Sequence, residues 1–437
     1  MYAYNEQDQR IIDERAAQYK DQTNRYLDGK LSDDEFLVLR LQNGLYLQRH
    51  APMLRIGVPH GMLSTRQFRK IAEITREYDK GYAHISTRQN IQLNWPELEE
   101  VPNILKDLAS VQMHGIQTSG SCIRSTTSDE FAGVAQDEDV DPRPYAEIIR
   151  QWSTLHPEFA MLPRKFKISV TGSPKDRAAT QTNDIGVQVK LNENGETVYQ
   201  IRAGGGLGRT PILGPVIKDS LPEAHLLSYL DAILRIYNRY GRRDNKYKAR
   251  IKILVKAMKP DVFAEKVEAE WLRIKDGPLT LTEKELSRVK ACYRLPDYKK
   301  PEPKQTAFTN QLQANSVFAQ WVRTNVSPHK VPGYAIANIN LKACSTAPGD
   351  ISAEDIELVS DLADRYSFGE LRTTHRQNLV LADVEESMLF ELWGALEEAG
   401  LATANLGQIT DTTCCPGGDY CSLANAKSLP VAESIQR

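Results

Sequence analysis

Two cysteines, Cys415 and Cys421, bracket the loop Pro416-Gly417-Gly418-Asp419-Tyr420. In a loop of glycine and proline, backbone N–H groups can turn inward, which suits thiolates that ligate an iron–sulfur cluster whose charge such donors tune. Half of a zinc site is a second reading, although zinc ligands usually stand two to four residues apart. A loop with two free thiols is the third. Cys414 is read as a bystander, because adjacent residues seldom aim both side chains at one metal. A cluster normally takes four thiolates, and Cys122, Cys292 and Cys344 lie singly in distant segments.

Anion chemistry has its own candidates. Lys165 and Lys167 flank Phe166 in Leu162 to Ile168, which opens a strand, so both ammonium groups fall on one face. Two such groups repel unless an anion sits between them; a solvated edge strand is the plain reading. Arg55 and Arg124, the latter in a Cys-Ile-Arg-Ser turn, are ordinary taken singly, and only convergence makes them a site. Gly204-Gly205-Gly206-Leu207-Gly208 lacks the spacing of a dinucleotide loop and runs into Arg-Thr-Pro rather than a helix, which excludes nicotinamide binding. It suits either backbone approach to a large flat ligand or a flexible turn. Arg242, Arg243, Lys246, Lys248, Arg250 and Lys252 form a basic run, read as a solvated face or a holder of a polyanionic cofactor. No histidine has metal-ligand spacing.

The elements that position these residues come from a duplication. Thr87-Arg88-Gln89-Asn90-Ile91-Gln92-Leu93 returns 288 positions later as His375-Arg376-Gln377-Asn378-Leu379-Val380-Leu381. The register extends to Phe68, Ile71 and Ile74 against Ile356, Val359 and Leu362, and to Val101, Ile104 and Leu108 against Leu389, Leu392 and Leu396. Helical apolar faces therefore flank a polar turn in both copies. The first copy reads strand Met53 to Val58, helix Thr65 to Tyr78, strand Ala83 to Trp95 broken by the polar stretch, and helix Val101 to Leu108; the second spans roughly Tyr334 to Gly400. A twofold unit of this kind predicts a pseudo-symmetric cleft in which each copy offers an Arg and a Gln to one ligand.

Before the repeats, Glu6 to Tyr26 reads as a charged helix, and Ser32 with Glu35 has capping-box spacing. Between them, alternating runs on either side of Asn194-Gly195 predict a β-hairpin, helices follow at Ala224 to Tyr240 and around Phe263 to Ile274, and Pro296 to Thr306 reads as a linker. With 437 residues, two to four domains are expected. The 55 Lys and Arg balance 57 Asp and Glu, so no net field draws in nucleic acid. A mean hydropathy of -0.47 leaves no bilayer span, and the charged opening segment has no secretory h-region, so the cytoplasm is the expected location and no membrane partner is expected.

As a set, Met53-Leu54-Arg55, Ser86 to Asn90, Leu162 to Lys167, Gly204 to Gly208, the second Arg-Gln-Asn and Cys415-x5-Cys421 occur in the order of the sulfite and nitrite reductase haemoproteins. The chain resembles that family over nearly its whole length after about residue 40. The resemblance implies an α+β fold of duplicated ferredoxin-like half-domains forming a pseudo-twofold unit, with an inserted sirohaem-binding α+β domain and the start of a third. The implied division is a helical arm over 1–45, repeats over 46–113 and 316–405, a sirohaem and substrate domain over 114–315, and the iron–sulfur domain from 406 to 437.

The implied cofactors are sirohaem and a four-iron four-sulfur cluster. The implied reaction is the six-electron reduction of sulfite to sulfide, with nitrite to ammonia as the alternative. By resemblance Arg55, Arg124, Lys165 and Lys167 surround the anion, Arg88, Gln92 and Gln377 touch sirohaem, and Cys415 and Cys421 ligate the cluster. Lys at both 165 and 167 is more like the sulfite reductases. A ferredoxin or flavoprotein is the implied donor, since no flavin or nicotinamide motif is present. The family's second cysteine pair, spaced Cys-x3-Cys, is not found downstream of Cys421, so the chain reads as truncated and is expected to hold little or no cluster by itself. A non-catalytic scaffold with the same fold is the rival from another class.

Overall fold

The computed structural model describes residues 1–299, 306–344, 346–421 and 424–437, so much of the linker expected at Pro296 to Thr306 lies outside the described residues. The chain divides into two compact units, one of Met1–Tyr2 with Ser119–Leu295, the other of Ala3–Thr118 with Pro296–Arg437.

The second unit carries the duplication. Helices Thr65–Tyr78 and Ala353–Tyr366 stand 288 residues apart end to end, as do strands Tyr82–Ile85 and Glu370–Thr373. The physical cause is repeated capping and patterning. Ser64 accepts from the Gln67 N–H and Ser352 from the Asp355 N–H, each satisfying one of the N–H groups a helix start leaves unpaired. Phe68, Ile71 and Ile74, with their mates Ile356, Val359 and Leu362, are buried in one core shared by both copies. Each such side chain removed from water contributes about 1.5–3 kcal/mol.

The sheets do not follow the copies. In one, strands run in the order Leu45–Leu47, Pro52–Ile56, Ile91–Leu93, Tyr82–Ile85, and the edge is closed by Asp350–Ser352 from the second copy. In the other the order is Val326–Pro328, Tyr334–Ile339, Leu379–Glu385, Glu370–Thr373, closed by Met62–Ser64 from the first. Each copy lends the other a three-residue antiparallel strand, Asp350 pairing with His84 and Glu370 with Ser64. The exchange explains two glycines. Gly61 and Gly349 take positive φ, and a Cβ there meets the Thr373 carbonyl at 2.7 Å and the Ile85 carbonyl at 2.8 Å, respectively. The helical arm, Glu6–Leu27, starts on an Asn5 capping box and adds Tyr19 to the same core.

The first unit holds a mixed sheet in the order Val216–Pro222, Thr197–Ala203, Ile185–Leu191, Ile168–Thr171, Thr127–Ser128. Its hairpin pairs Leu191 with Thr197 around Gly195 at φ 78, as expected from Asn194-Gly195. Helices Arg143–Ser153, Leu226–Tyr240 and Pro260–Ile274 belong to the same unit. No helix among the described residues is long and apolar enough to cross a membrane.

Candidate functional site

In the unit of Ser119–Leu295, three of the expected basic residues fall on one face. Ile123 and Phe166, both fully buried, form a parallel bridge. Arg124 N–H donates to the Phe166 carbonyl at 2.7 Å and Phe166 N–H to the Cys122 carbonyl at 3.0 Å. Side chains alternate along extended backbone, so Arg124, Lys165 and Lys167 project opposite the buried pair. All three are half-buried. Arg124 is braced by the Gly120 carbonyl, which accepts from its Nε at 3.1 Å and its Nη2 at 2.8 Å. Burial pushes the neighbouring Cys122 thiol up, so it is neutral and adds no negative charge there at ordinary pH.

Behind Lys167 stands a pair that spacing did not suggest. Asp184, fully buried, takes the Lys167 N–H at 2.8 Å and both Nε and Nη2 of Arg250. A buried carboxylate satisfied by guanidinium and backbone fixes the backbone it holds. The solvated-face reading of the basic run is therefore corrected at two positions. Arg250 is committed to Asp184, and Lys252 donates to the Leu207 and Thr210 carbonyls at 3.0 and 2.7 Å. The glycine loop is also shaped from within. A Cβ on Gly205 meets the carbonyls of Asn183 and Gln181 at 2.4 Å, so chain packing alone demands glycine there.

In the other unit, Arg55 sits on Pro52–Ile56 directly opposite Gln92. The Gln92 Oε1 accepts from Arg55 Nε at 2.9 Å and from Nη2 at 2.6 Å, and the guanidinium lies 5.2 Å from the centre of the Tyr46 ring. Gln92 thus orients Arg55. Arg88 and Arg376 occupy matching turns. In each, the hydroxyl of Ser86 or Thr374 accepts from the Arg and Asn N–H groups, and the Gln between them is left-handed. Arg88 is half-buried, whereas Arg376 is exposed and lies 3.8 Å from Asp411.

Gln377 is buried and its amide engages Cys414 from both sides, so the second copy's Gln serves the cysteine segment. Cys414 is buried, Cys415 exposed and Cys421 half-buried. Their loop is pinned by the Cys421 N–H to the Gly417 carbonyl at 2.8 Å, by Ser428 Oγ to the Cys415 carbonyl at 2.8 Å, and by Trp95 edge-on to Tyr420 at 5.1 Å. Ahead of it, Asp411 is buried against Lys342 at 2.9 Å and Asn340 at 3.0 Å. Sequence reasoning missed Asp184, His84, Asp350, Lys342 and Asp411, and the pairing of Arg250 with Asp184, because their partners lie far along the chain and no local period marks them.

The donor set allows a test of fit. A carboxylate-rich tetrapyrrole and a small oxyanion both take Arg and Lys donors, a residue chemistry that Arg124, Lys165 and Lys167 have in one unit and Arg55 and Arg88 in the other, each unit taken by itself. For a cluster, Cys415 and Cys421 would offer two of the four thiolates it normally takes. Among the described residues no group of three or more His, Cys, Asp or Glu is gathered as a metal site.

Comparison with known proteins agrees with that chemistry. A family model described as "Nitrite and sulphite reductase 4Fe-4S domain" matches residues 119–275, and one described as "Nitrite/Sulfite reductase ferredoxin-like half domain" matches 46–111 and 343–399. Together they cover more than half of the chain. Sulfite reductase (ferredoxin) 1 of Mycolicibacterium paratuberculosis is 28% identical over 88% of this chain and 62% of its own length. The chloroplastic ferredoxin–nitrite reductase of Arabidopsis thaliana is 27% identical over 94% of this chain and 67% of its own length. The assimilatory ferredoxin-dependent nitrite reductase of Haloferax mediterranei is 29% identical, covering 85% of this chain and 61% of that protein. The chain thus spans about 62% of the length of the first of these relatives. The Mycobacterium tuberculosis NirA structure shares the fold, with a TM-score of 0.74 at 24% identity over 92% of this chain and 70% of that one. The cofactors that fit this match are sirohaem and a four-iron four-sulfur cluster. The repeated half-domains, the domain between them and the cysteine loop make this chain a member of the sulfite and nitrite reductase haemoprotein family.

Proposed function

We propose that this chain carries the anion-binding face of an assimilatory sulfite reductase, in which sulfite accepts six electrons, loses its oxygens as water and leaves as sulfide. The observation that carries the reading is the shared face of Arg124, Lys165 and Lys167, with Lys167 anchored from behind by Asp184 and Arg250. Sirohaem and the four-iron four-sulfur cluster, when bound, would supply the redox chemistry. The side chains do the rest. Arg124 and the two lysines neutralise the oxyanion, hold its oxygens and donate protons as each oxygen departs. Arg55, held in one orientation by Gln92, is the fourth cation in this reading. Arg88 and the amide nitrogen of Gln92 serve macrocycle carboxylates, and Cys415 with Cys421 serves the cluster.

Sulfite is favoured over nitrite because it has one more oxygen to hold and protonate, which suits two lysines beside Arg124. Ferredoxin is the proposed donor, since relatives of both specificities carry it in their names. The deciding measurement is kcat/KM for sulfite and for nitrite in cofactor-loaded protein; a large nitrite preference reverses the assignment. Lys167→Met is expected to lower kcat/KM for sulfite by about two orders of magnitude. A preparation without tetrapyrrole absorption after cofactor supply makes the chain a scaffold instead.

A further inference from the structure

The duplicated turn serves two different ends. Gln89 and Gln377 share a left-handed backbone, φ 58 and 60, and both are buried. Gln89 donates to the Thr373 carbonyl at 3.2 Å, part of the junction between the copies. Gln377 grips both backbone groups of one residue. Its Oε1 accepts the Cys414 N–H at 2.8 Å, and its Nε2 donates to the Cys414 carbonyl at 3.0 Å.

What orients that amide is a relay behind it. Gln377 Nε2 lies 3.1 Å from His84 Nε2, and His84 Nδ1 lies 2.7 Å from Asp350 Oδ1. A carboxylate only accepts, so His84 Nδ1 donates to Asp350, and in that tautomer its Nε2 accepts from Gln377 Nε2, which also has the Pro348 carbonyl at 3.4 Å. The amide is thereby set with nitrogen toward His84 and oxygen toward Cys414. The relay needs the exchanged strand, because Asp350 faces His84 only where Asp350–Ser352 joins the sheet of the first copy. It exists once: the positions 288 residues away from His84 and Asp350 are Arg372 and Met62.

We propose that Gln377, oriented by His84 and Asp350, is a positioning residue for the cysteine loop. It fixes the peptide groups on both sides of Cys414 so that exposed Cys415, next in the chain, presents its sulfur from a pinned backbone. The clamp follows from the geometry; its service to a cluster rests on the reading of Cys415 as a ligand. The test is iodoacetamide alkylation of each cysteine in the folded chain, resolved by mass spectrometry. In Gln377→Ala and His84→Ala, buried Cys414 is expected to react about tenfold faster than in the parent. Asp350→Asn, which keeps the volume and loses the carboxylate, is expected to give a smaller rise and serves if the alanine variants do not fold. Gln89→Ala should leave Cys414 at the parent rate, and Cys122, in the other unit, should be unchanged throughout. Unchanged Cys414 protection in Gln377→Ala, or an equal rise in Gln89→Ala, overturns the clamp. These rates do not depend on what the loop binds. Protection of Cys415 from iodoacetamide after incubation with iron and sulfide reads the ligand assignment separately.

Discussion

The two copies of the repeated unit agree in backbone and differ in what their polar groups hold. Both turns place Gln in the left-handed region and both lend a strand across the junction. In the first copy, Asn90 Oδ1 accepts the Val58 N–H, as Asn378 Oδ1 accepts the Leu341 N–H in the second, and Gln89 donates across the junction to the Thr373 carbonyl. In the second, Asn378 bonds Lys342 and Asp411, and Gln377 takes Cys414, so the same turn is a cradle for the segment leading to the cysteines. Duplication supplied two equal frames, and a few substitutions around one made it an anchor.

Asp411→Asn strikes the asymmetric part hardest. It leaves fully buried Lys342 without its counter-ion, and a loss of about 4 kcal/mol in urea unfolding is expected, with amides of 405–414 exchanging early. If the loss is below 1 kcal/mol on the order of a surface pair, the cradle is not held by this ion pair. The pH profile sharpens the same point. Burial brings the Lys342 ammonium down to about 8, against Asp411, which pulls the other way. Between that pH and the ordinary lysine range the unfolded chain binds the extra proton, so stability rises with pH across that window and flattens above it. The rise attributable to Lys342 is up to about 3 kcal/mol, and should vanish in Lys342→Met.

The symmetric part should break symmetrically. Gly61→Ala and Gly349→Ala each force a Cβ against a carbonyl at positive φ, and each is expected to cost about 2 kcal/mol. A difference beyond about 1 kcal/mol means that the exchanged strands do not carry equal weight. The smallest effect is at the caps, where Ser64→Ala and Ser352→Ala should each lose about 1 kcal/mol in thermal unfolding.

Much of this was legible. The sequence predicts helix Thr65–Tyr78 at its observed bounds, because cap, apolar stripe and following turn are all local signals. The hairpin around Gly195 and the capping box of Ser32 with Glu35 were legible for the same reason. The exchanged strands were not. Met62–Ser64 and Asp350–Ser352 are too short to display a period, and their partners lie in the other copy. Lys165 and Lys167 were readable as neighbours on one face, but not the Asp184 and Arg250 pair behind them, which meets across 66 residues.

The amino-acid sequence by itself determined the duplication, the helix starts, the hairpin and the residue types suited to an oxyanion and to iron, because each depends on interactions within a few positions. Tertiary structure decided which duplicated glutamine faces the cysteines and which histidine proton is fixed. Those outcomes depend on donors and acceptors brought together across 37 residues for Gln377 and Cys414 and across 266 for His84 and Asp350, where burial makes an unpaired polar group costly.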